Sequence, residues 1–159
     1  LRLLLFTVLL SSALGGSIVD EFIGYDGHLL LVSACNDRYL SGVNDTSKYG
    51  DMKNSVYWWY GDAEETEEWL VKKKSSTEVA FQAYNTGYLR DAHNIIAYID
   101  LADTDANAGN TWWTPRKNGD GTWSLVSRKG YWLSSSRKDT LASSVERVGG
   151  CERFYLESW

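Results

Sequence analysis

From Gly27 onward the apolar residues fall in short runs, each ended by Asn, Asp, Gly or Ser. Short apolar runs closed by turn formers are the mark of strands, and no stretch keeps the 3.6-residue spacing of an amphipathic helix. One arrangement recurs three times: an apolar strand, a polar turn, then a strand centred on tyrosine. It is written Leu29-Leu30-Leu31-Val32-Ser33-Ala34 then Tyr39-Leu40-Ser41; Val79-Ala80-Phe81-Gln82-Ala83 then Tyr88-Leu89-Arg90; and Trp123-Ser124-Leu125-Val126-Ser127 then Tyr131-Trp132-Leu133. A period of roughly 40 to 50 residues marks a supersecondary unit that cannot bury its apolar face alone, so the three copies share one core.

Alignment of the copies extends each to four strands. The third strands are Val56–Tyr60, Ile95–Ile99 and Thr140–Val145; the fourth are Glu68–Val71, Thr111–Thr114 and Glu152–Leu156. Asn36-Asp37, Asn85-Thr86-Gly87 and Arg128-Lys129-Gly130 stand at equivalent turns, where a tight hairpin needs a residue tolerant of positive φ. Three repeats, about 28–74, 77–118 and 122–159, give twelve strands in one all-β domain over 17–159.

Twelve strands in three four-stranded units resemble the β-trefoil superfamily, which implies a six-stranded barrel capped by hairpins. Gly87-Tyr88-Leu89, with Arg38-Tyr39-Leu40 and Gly130-Tyr131-Trp132, and the closing Cys151-Glu152-Arg153-Phe154-Tyr155-Leu156 are most similar to fascin-type, actin-crosslinking-like trefoils. The Gln-x-Trp triplet of ricin-type lectin trefoils does not occur; the one Gln, Gln82, precedes Ala83-Tyr84. Cys35 and Cys151 admit either a bridge or two free thiols. The resemblance favours the bridge, because it makes the first and last strands antiparallel neighbours, with Cys35 ending one and Cys151 beginning the other.

Ahead of the repeats, Arg2 precedes the apolar run Leu3–Leu10, and Ser11, Ser12, Ala13, Gly15 and Gly16 follow. A basic flank, a short apolar stretch and small residues spell a secretory signal peptide over 1–16, since a membrane anchor needs about 20 apolar residues. The expected protein is secreted and extracellular, and does not insert in a membrane. The net charge of −5 argues against nucleic acid as a partner, because phosphate binding calls for a basic face. The basic cluster Lys72-Lys73-Lys74 lies near Glu64, Glu65, Glu67 and Glu68, which read as a solvated, mutually screened charged segment.

No convergent acid, base, nucleophile or metal set is legible: His28 and His93 stand apart, and no cofactor or metal is expected. Asp103-Thr104-Asp105-Ala106-Asn107 has the alternating oxygens of a calcium loop. Ala108 and Thr114, however, stand where an EF-hand needs Gly and Glu. Asn44-Asp45-Thr46 is an N-glycosylation acceptor sequence.

Eight tryptophans are the remaining signal. Trp58-Trp59 and Trp112-Trp113 are consecutive, so alternation turns one of each pair outward. With Trp69, Trp113 and Phe154 as equivalent core residues, Trp112 faces out. Exposed aromatics beside Asp and Asn stack on sugar rings and bind their hydroxyls. The expected function is therefore non-enzymatic glycan or glycoprotein binding by a monomer, through Asp37, Tyr57, Trp59, Asp91, Asn94, Tyr98 and Trp112. An actin-crosslinking protein and a trefoil-type protease inhibitor are the alternatives.

Overall fold

The structure is a computed structural model that describes residues 16–24, 27–43, 55–83, 87–92, 99–102, 110–139 and 141–159. Twelve strands lie among them. They are β1 (His28–Ser33), β2 (Tyr39–Val43), β3 (Ser55–Trp59), β4 (Trp69–Lys73), β5 (Val79–Ala83), β6 (Tyr88–Asp91), β7 (Ile99–Ala102), β8 (Trp112–Lys117), β9 (Trp123–Ser127), β10 (Trp132–Ser134), β11 (Ser143–Val145) and β12 (Phe154–Ser158). The antiparallel pairs β1–β4, β4–β5, β5–β8, β8–β9, β9–β12 and β12–β1 run once around a ring, so six strands close a barrel that leaves no unpaired edge. The hairpins β2–β3, β6–β7 and β10–β11 cap one end. Ser55 opposite Asp100 and a bridge from Tyr57 to Leu141 tie these hairpins together. This is the β-trefoil that the threefold pattern implied.

The threefold letters are core letters. Leu31, Phe81 and Leu125 of the first strands, Leu40, Leu89 and Leu133 of the second, and Trp69, Trp113 and Phe154 of the fourth are all fully buried. Trp69 donates its indole N–H to the Leu40 carbonyl at 2.9 Å, and Trp113 donates to the Leu89 carbonyl at 3.0 Å. A buried indole needs such a partner. In the third unit Phe154 has no N–H to place. Beside it, Trp58 stacks on its ring at 5.3 Å and donates to the Ser134 carbonyl at 3.1 Å. Removing any one of these rings would cost about 3–5 kcal/mol.

Pairing corrects the alignment of the third unit. Val32 lies opposite Tyr39, Gln82 opposite Tyr88 and Val126 opposite Trp132, so Trp132, not Tyr131, is the counterpart of the two tyrosines. Tyr131 belongs to the turn, its carbonyl accepting from Ser127 as Arg38 accepts from Ser33 and Gly87 from Ala83. In the second unit the described part of the third strand is β7, which includes Ile99 of the expected Ile95–Ile99 and runs on to Ala102; 93–98 lie outside the described residues. In the third unit only Ser143–Val145 of the expected strand pairs in β11.

A helix that the strand pattern did not contain precedes the barrel: α1 (Ile18–Ile23). Ser17 caps it, its hydroxyl accepting from the Asp20 amide while the Asp20 carboxylate accepts from the Ser17 amide. Val19 and Phe22 are buried, and Phe22 meets Phe81 at 5.8 Å and Trp123 at 5.1 Å, both edge to face. The helix therefore plugs the barrel end opposite the hairpins, where β5 and β9 begin and β4 and β8 end. Lys73 pairs with Asp20 and Lys117 with Glu21 around the rim.

Cys35 and Cys151 form a disulfide, with their Cα atoms 4.9 Å apart. It fastens the β1–β2 turn to the 3-10 turn Gly150–Glu152 that leads into β12. The charged segment before β4 differs from expectation. Glu67 is buried rather than solvated, accepting from the Glu64 amide and the Thr66 hydroxyl, both at 2.7 Å. Glu152 repeats this before Phe154, accepting from the Gly149 amide at 2.6 Å and from the Ser134 hydroxyl. A buried carboxylate two residues ahead of the core aromatic thus closes the turn into the fourth strand in units one and three. Of the neighbouring lysines, Lys72 reaches the Tyr88 hydroxyl, Lys73 reaches Asp20, and Lys74 lies over Trp112.

Candidate functional site

Residues opposite one another in antiparallel strands point to the same side of a sheet. Tyr155 of β12 faces Val32 of β1, Val32 faces Tyr39 of β2, and Tyr39 faces Trp59 of β3. Val32 lies outside the core cluster whereas its neighbour Leu31 belongs to it, so this row faces outward. Three aromatic side chains, Tyr155, Tyr39 and Trp59, therefore share one outer row across four strands. Trp59 is 43% exposed and Tyr155 49% exposed.

Trp59 is held as well as exposed. Its indole N–H donates to the Asp62 carbonyl at 3.2 Å, and the Tyr57 ring abuts it edge to face at 6.4 Å. The return of the chain that brings Asp62 there passes through Gly61 at φ 144°, a conformation that side chains resist, and the indole stands where a Cβ would crowd it. Carboxylates flank the row. The Tyr39 hydroxyl reaches Glu157 on β12 and lies near Asp62; the charge of Glu157, then burial, then the charge of Asp62 push its pKa above the usual tyrosine value. Glu157 lies opposite Leu30 and Tyr39 opposite Val32, so the two flank the outer face of β1. The result is a rigid aromatic surface with acceptor oxygens at its rim.

The expected site residues divide. Of the three on the first unit, Trp59 is exposed and Tyr57 touches it, but Tyr57 is itself buried and so supports the indole instead of facing outward as expected; Asp37 is exposed in the β1–β2 turn at φ 55°. Trp112 faces outward on the second unit, but the Arg128 guanidinium lies 4.3 Å from its ring centroid. Arg128 is held there by a two-point bond to Glu78 at 2.6 and 2.9 Å, and that fork keeps the Glu78 carboxyl below the usual carboxylate range. Asp91 is a correction. It is fully buried at the end of β6, where its carboxylate accepts from the Ser127 and Ser144 hydroxyls of the third unit, so it holds units together instead of meeting a ligand. Asn94, Tyr98 and the acceptor Asn44 lie outside the described residues, as do Asp103, Asp105 and Asn107. Asp100, three residues ahead of that loop, binds Arg90 through both oxygens. Among the described residues no three His, Cys, Asp or Glu side chains converge as a metal site.

Tyr39, Tyr155, Asp62 and Glu157 were not on the expected list. Tyr39 stands at the repeated tyrosine position; the exposed position of Tyr155 beside buried Phe154 follows from strand alternation. What joins them is the meeting of β12 with β1, a contact between the two ends of the fold.

No family model matches the chain, and no curated protein matches it in sequence. Solved structures do match in three dimensions. ThreeFoil, a designed threefold-symmetric protein, superposes with a TM-score of 0.71 at 15% identity, covering 84% of this chain and 100% of that one. SeviL, solved bound to the asialo-GM1 saccharide, gives 0.67 at 9% identity over 84% and 98%. A GlcNAcα1-4Gal-releasing endo-β-galactosidase from Clostridium perfringens gives 0.68 at 12% identity. The match covers 81% of this chain but 31% of the galactosidase, so the likeness is to one part of a larger enzyme. At these identities the likeness is one of fold, and the fold is the β-trefoil.

Proposed function

We propose that this protein is a non-enzymatic carbohydrate-binding module that works outside the cell, and that the first unit holds its glycan site. The observation that carries this reading is Trp59: a large ring, 43% exposed, locked by the Asp62 carbonyl and Tyr57 and in register with Tyr39 and Tyr155. The apolar face of a sugar ring stacks on such an indole, and Asp62 and Glu157 accept its hydroxyls, with little ordering cost because the ring is already fixed. Binding suits the carboxylates better than catalysis does, since the buried ones, Asp91, Glu67 and Glu152, are occupied by internal hydrogen bonds. SeviL, of the same fold, was solved with a glycan bound. That supports the reading only by analogy of fold. The Cys35–Cys151 bond supports an oxidising compartment.

A printed glycan array that includes the asialo-GM1 saccharide tests this. The wild type is expected to bind at least one glycan. Trp59→Ala should lower that affinity at least tenfold, about 1.4 kcal/mol, and Trp112→Ala should leave it within about threefold. A blank array, or a Trp59→Ala protein that binds as the wild type does, overturns the proposal.

A further inference from the structure

The outer face of β1 is longer than the aromatic row at its upper end. Its outward residues are His28, Leu30 and Val32, and the three tyrosine and tryptophan rings gather only around Val32. At the other end His28 lies opposite Leu70 of β4, Leu70 opposite Gln82 of β5, and Gln82 opposite Tyr88 of β6. This second row is the threefold mate of the first: Leu70 stands where Tyr155 does, Gln82 where Val32 does, and Tyr88 where Tyr39 does. The repeat has kept the place and changed its chemistry.

A cleft of about 200 Å³ opens there, lined by His28, Glu68, Leu70, Gln82 and Ala83. Its floor is apolar and its walls offer hydrogen bonds of both kinds. The Glu68 carboxylate engages the His28 ring through one oxygen, and its other oxygen makes no bond among the described residues. Within that same set the Gln82 side-chain amide, with one acceptor and two donors, makes none. Next to Gln82 in the row, Tyr88 accepts from the Lys72 ammonium on its hydroxyl at 3.3 Å. A half-buried amide beside a carboxylate over a leucine floor matches a compact polyhydroxylated ligand.

Both rows lie on one face of one strand. Val32 and His28 are four residues apart, roughly 13 Å at about 3.3 Å per residue. Leu30 lies between them, opposite Glu157. One sugar ring cannot span that distance, whereas a short chain of linked rings can, passing a carboxylate acceptor midway.

We infer that the His28–Glu68–Gln82 cleft is a second sugar subsite, and that with the Trp59 row it makes one extended site for an oligosaccharide. The inference rests on the carbohydrate-binding reading and goes beyond it in naming the length of the ligand and the residues that read its far end. The Trp59 row supplies stacking; the cleft supplies hydrogen bonds that only a longer chain can reach.

An array of linear glycans graded from single sugars to hexasaccharides, probed with the wild type, Gln82→Ala and Glu68→Gln, tests it. Wild-type affinity should rise at least tenfold between single sugars and tetrasaccharides of the same terminal sugar, and each cleft variant should lose most of that rise. Both variants are partly exposed side chains, and thermal unfolding within a few degrees of the wild type verifies that they fold. If the wild type binds single sugars through Trp59 with no gain in length, or if the gain survives in both variants, the second subsite is wrong and the first stands. A blank array at every length overturns both.

Discussion

Gly42 shows how tightly the hairpin cap is pressed onto the barrel. A methyl group there would sit 2.7 Å from the Trp69 ring and 3.1 Å from the Ala83 methyl. The ring cannot step aside, because it is fully buried and its N–H is tied to the Leu40 carbonyl. Gly42→Ala is therefore expected to destabilise the fold by about 1–3 kcal/mol, read as a lower urea midpoint with an unchanged slope. A midpoint equal to the wild type would show that the cap gives way more easily than this packing implies. At the scale of single residues, strand alternation made much legible: Trp58 and Trp113 face in, and Trp59 and Trp112 face out. Polar residues were less legible. Asp91 in a strand has the same appearance whether it meets water or two hydroxyls, and its partners Ser127 and Ser144 lie 36 and 53 residues away.

Among the elements, α1 is the one the apolar pattern missed, and its attachment is mostly hydrophobic. Burial of Val19 and Phe22 contributes about 1.5–3 kcal/mol each, whereas the exposed pairs Asp20–Lys73 and Glu21–Lys117 are screened by solvent and add little. Six residues are too few for a helical period to emerge, so the only trace in sequence is the local Ser17-x-x-Asp20 capping box. That box leaves a pH signature. The Lys73 ammonium, with the Ser17 amide and hydroxyl, lowers the Asp20 pKa from 3.8 to about 2. A depressed folded-state pKa means the unfolded chain takes the proton first. The resulting stability is full above about pH 4 and is lost as the pH falls towards 2. In Asp20→Asn the urea midpoint should fall less steeply over that window than in the wild type. Some slope should remain, because Asp120, likewise lowered to about 2 by Thr122 and Arg153, is still present. Equal slopes would detach Asp20 from the acid response.

At the scale of the whole molecule, the closed ring of six strands brings the ends of the fold together, and the disulfide locks that closure. Cys35 and Cys151 are 116 residues apart, so in the chain-entropy picture the bond removes about 5 kcal/mol of freedom from the unfolded state. Protein recovered from the medium should carry the bond oxidised, and reduction should lower unfolding stability by about that amount in urea titrations. Free thiols, or a midpoint indifferent to reductant, would count against both the closure and the extracellular setting. The fold itself was legible because threefold repetition writes the same core letters three times, and a repeated apolar face has few ways to be buried. The Cys-Glu-x-Phe letters shared with fascin-type trefoils turn out to be a buried turn cap and a core ring, so they speak for fold and say nothing of actin. By itself, then, the sequence determined the strands, their inward faces and the three-unit barrel, all of which depend on neighbours within a unit. Only the tertiary structure decided the site. Tyr155 and Glu157 meet Tyr39 and Trp59 because β12 closes against β1, and His28 meets Glu68 and Gln82 because β4 closes against both β1 and β5. Contacts between distant strands follow from closure of the ring, and no local pattern of residues encodes them.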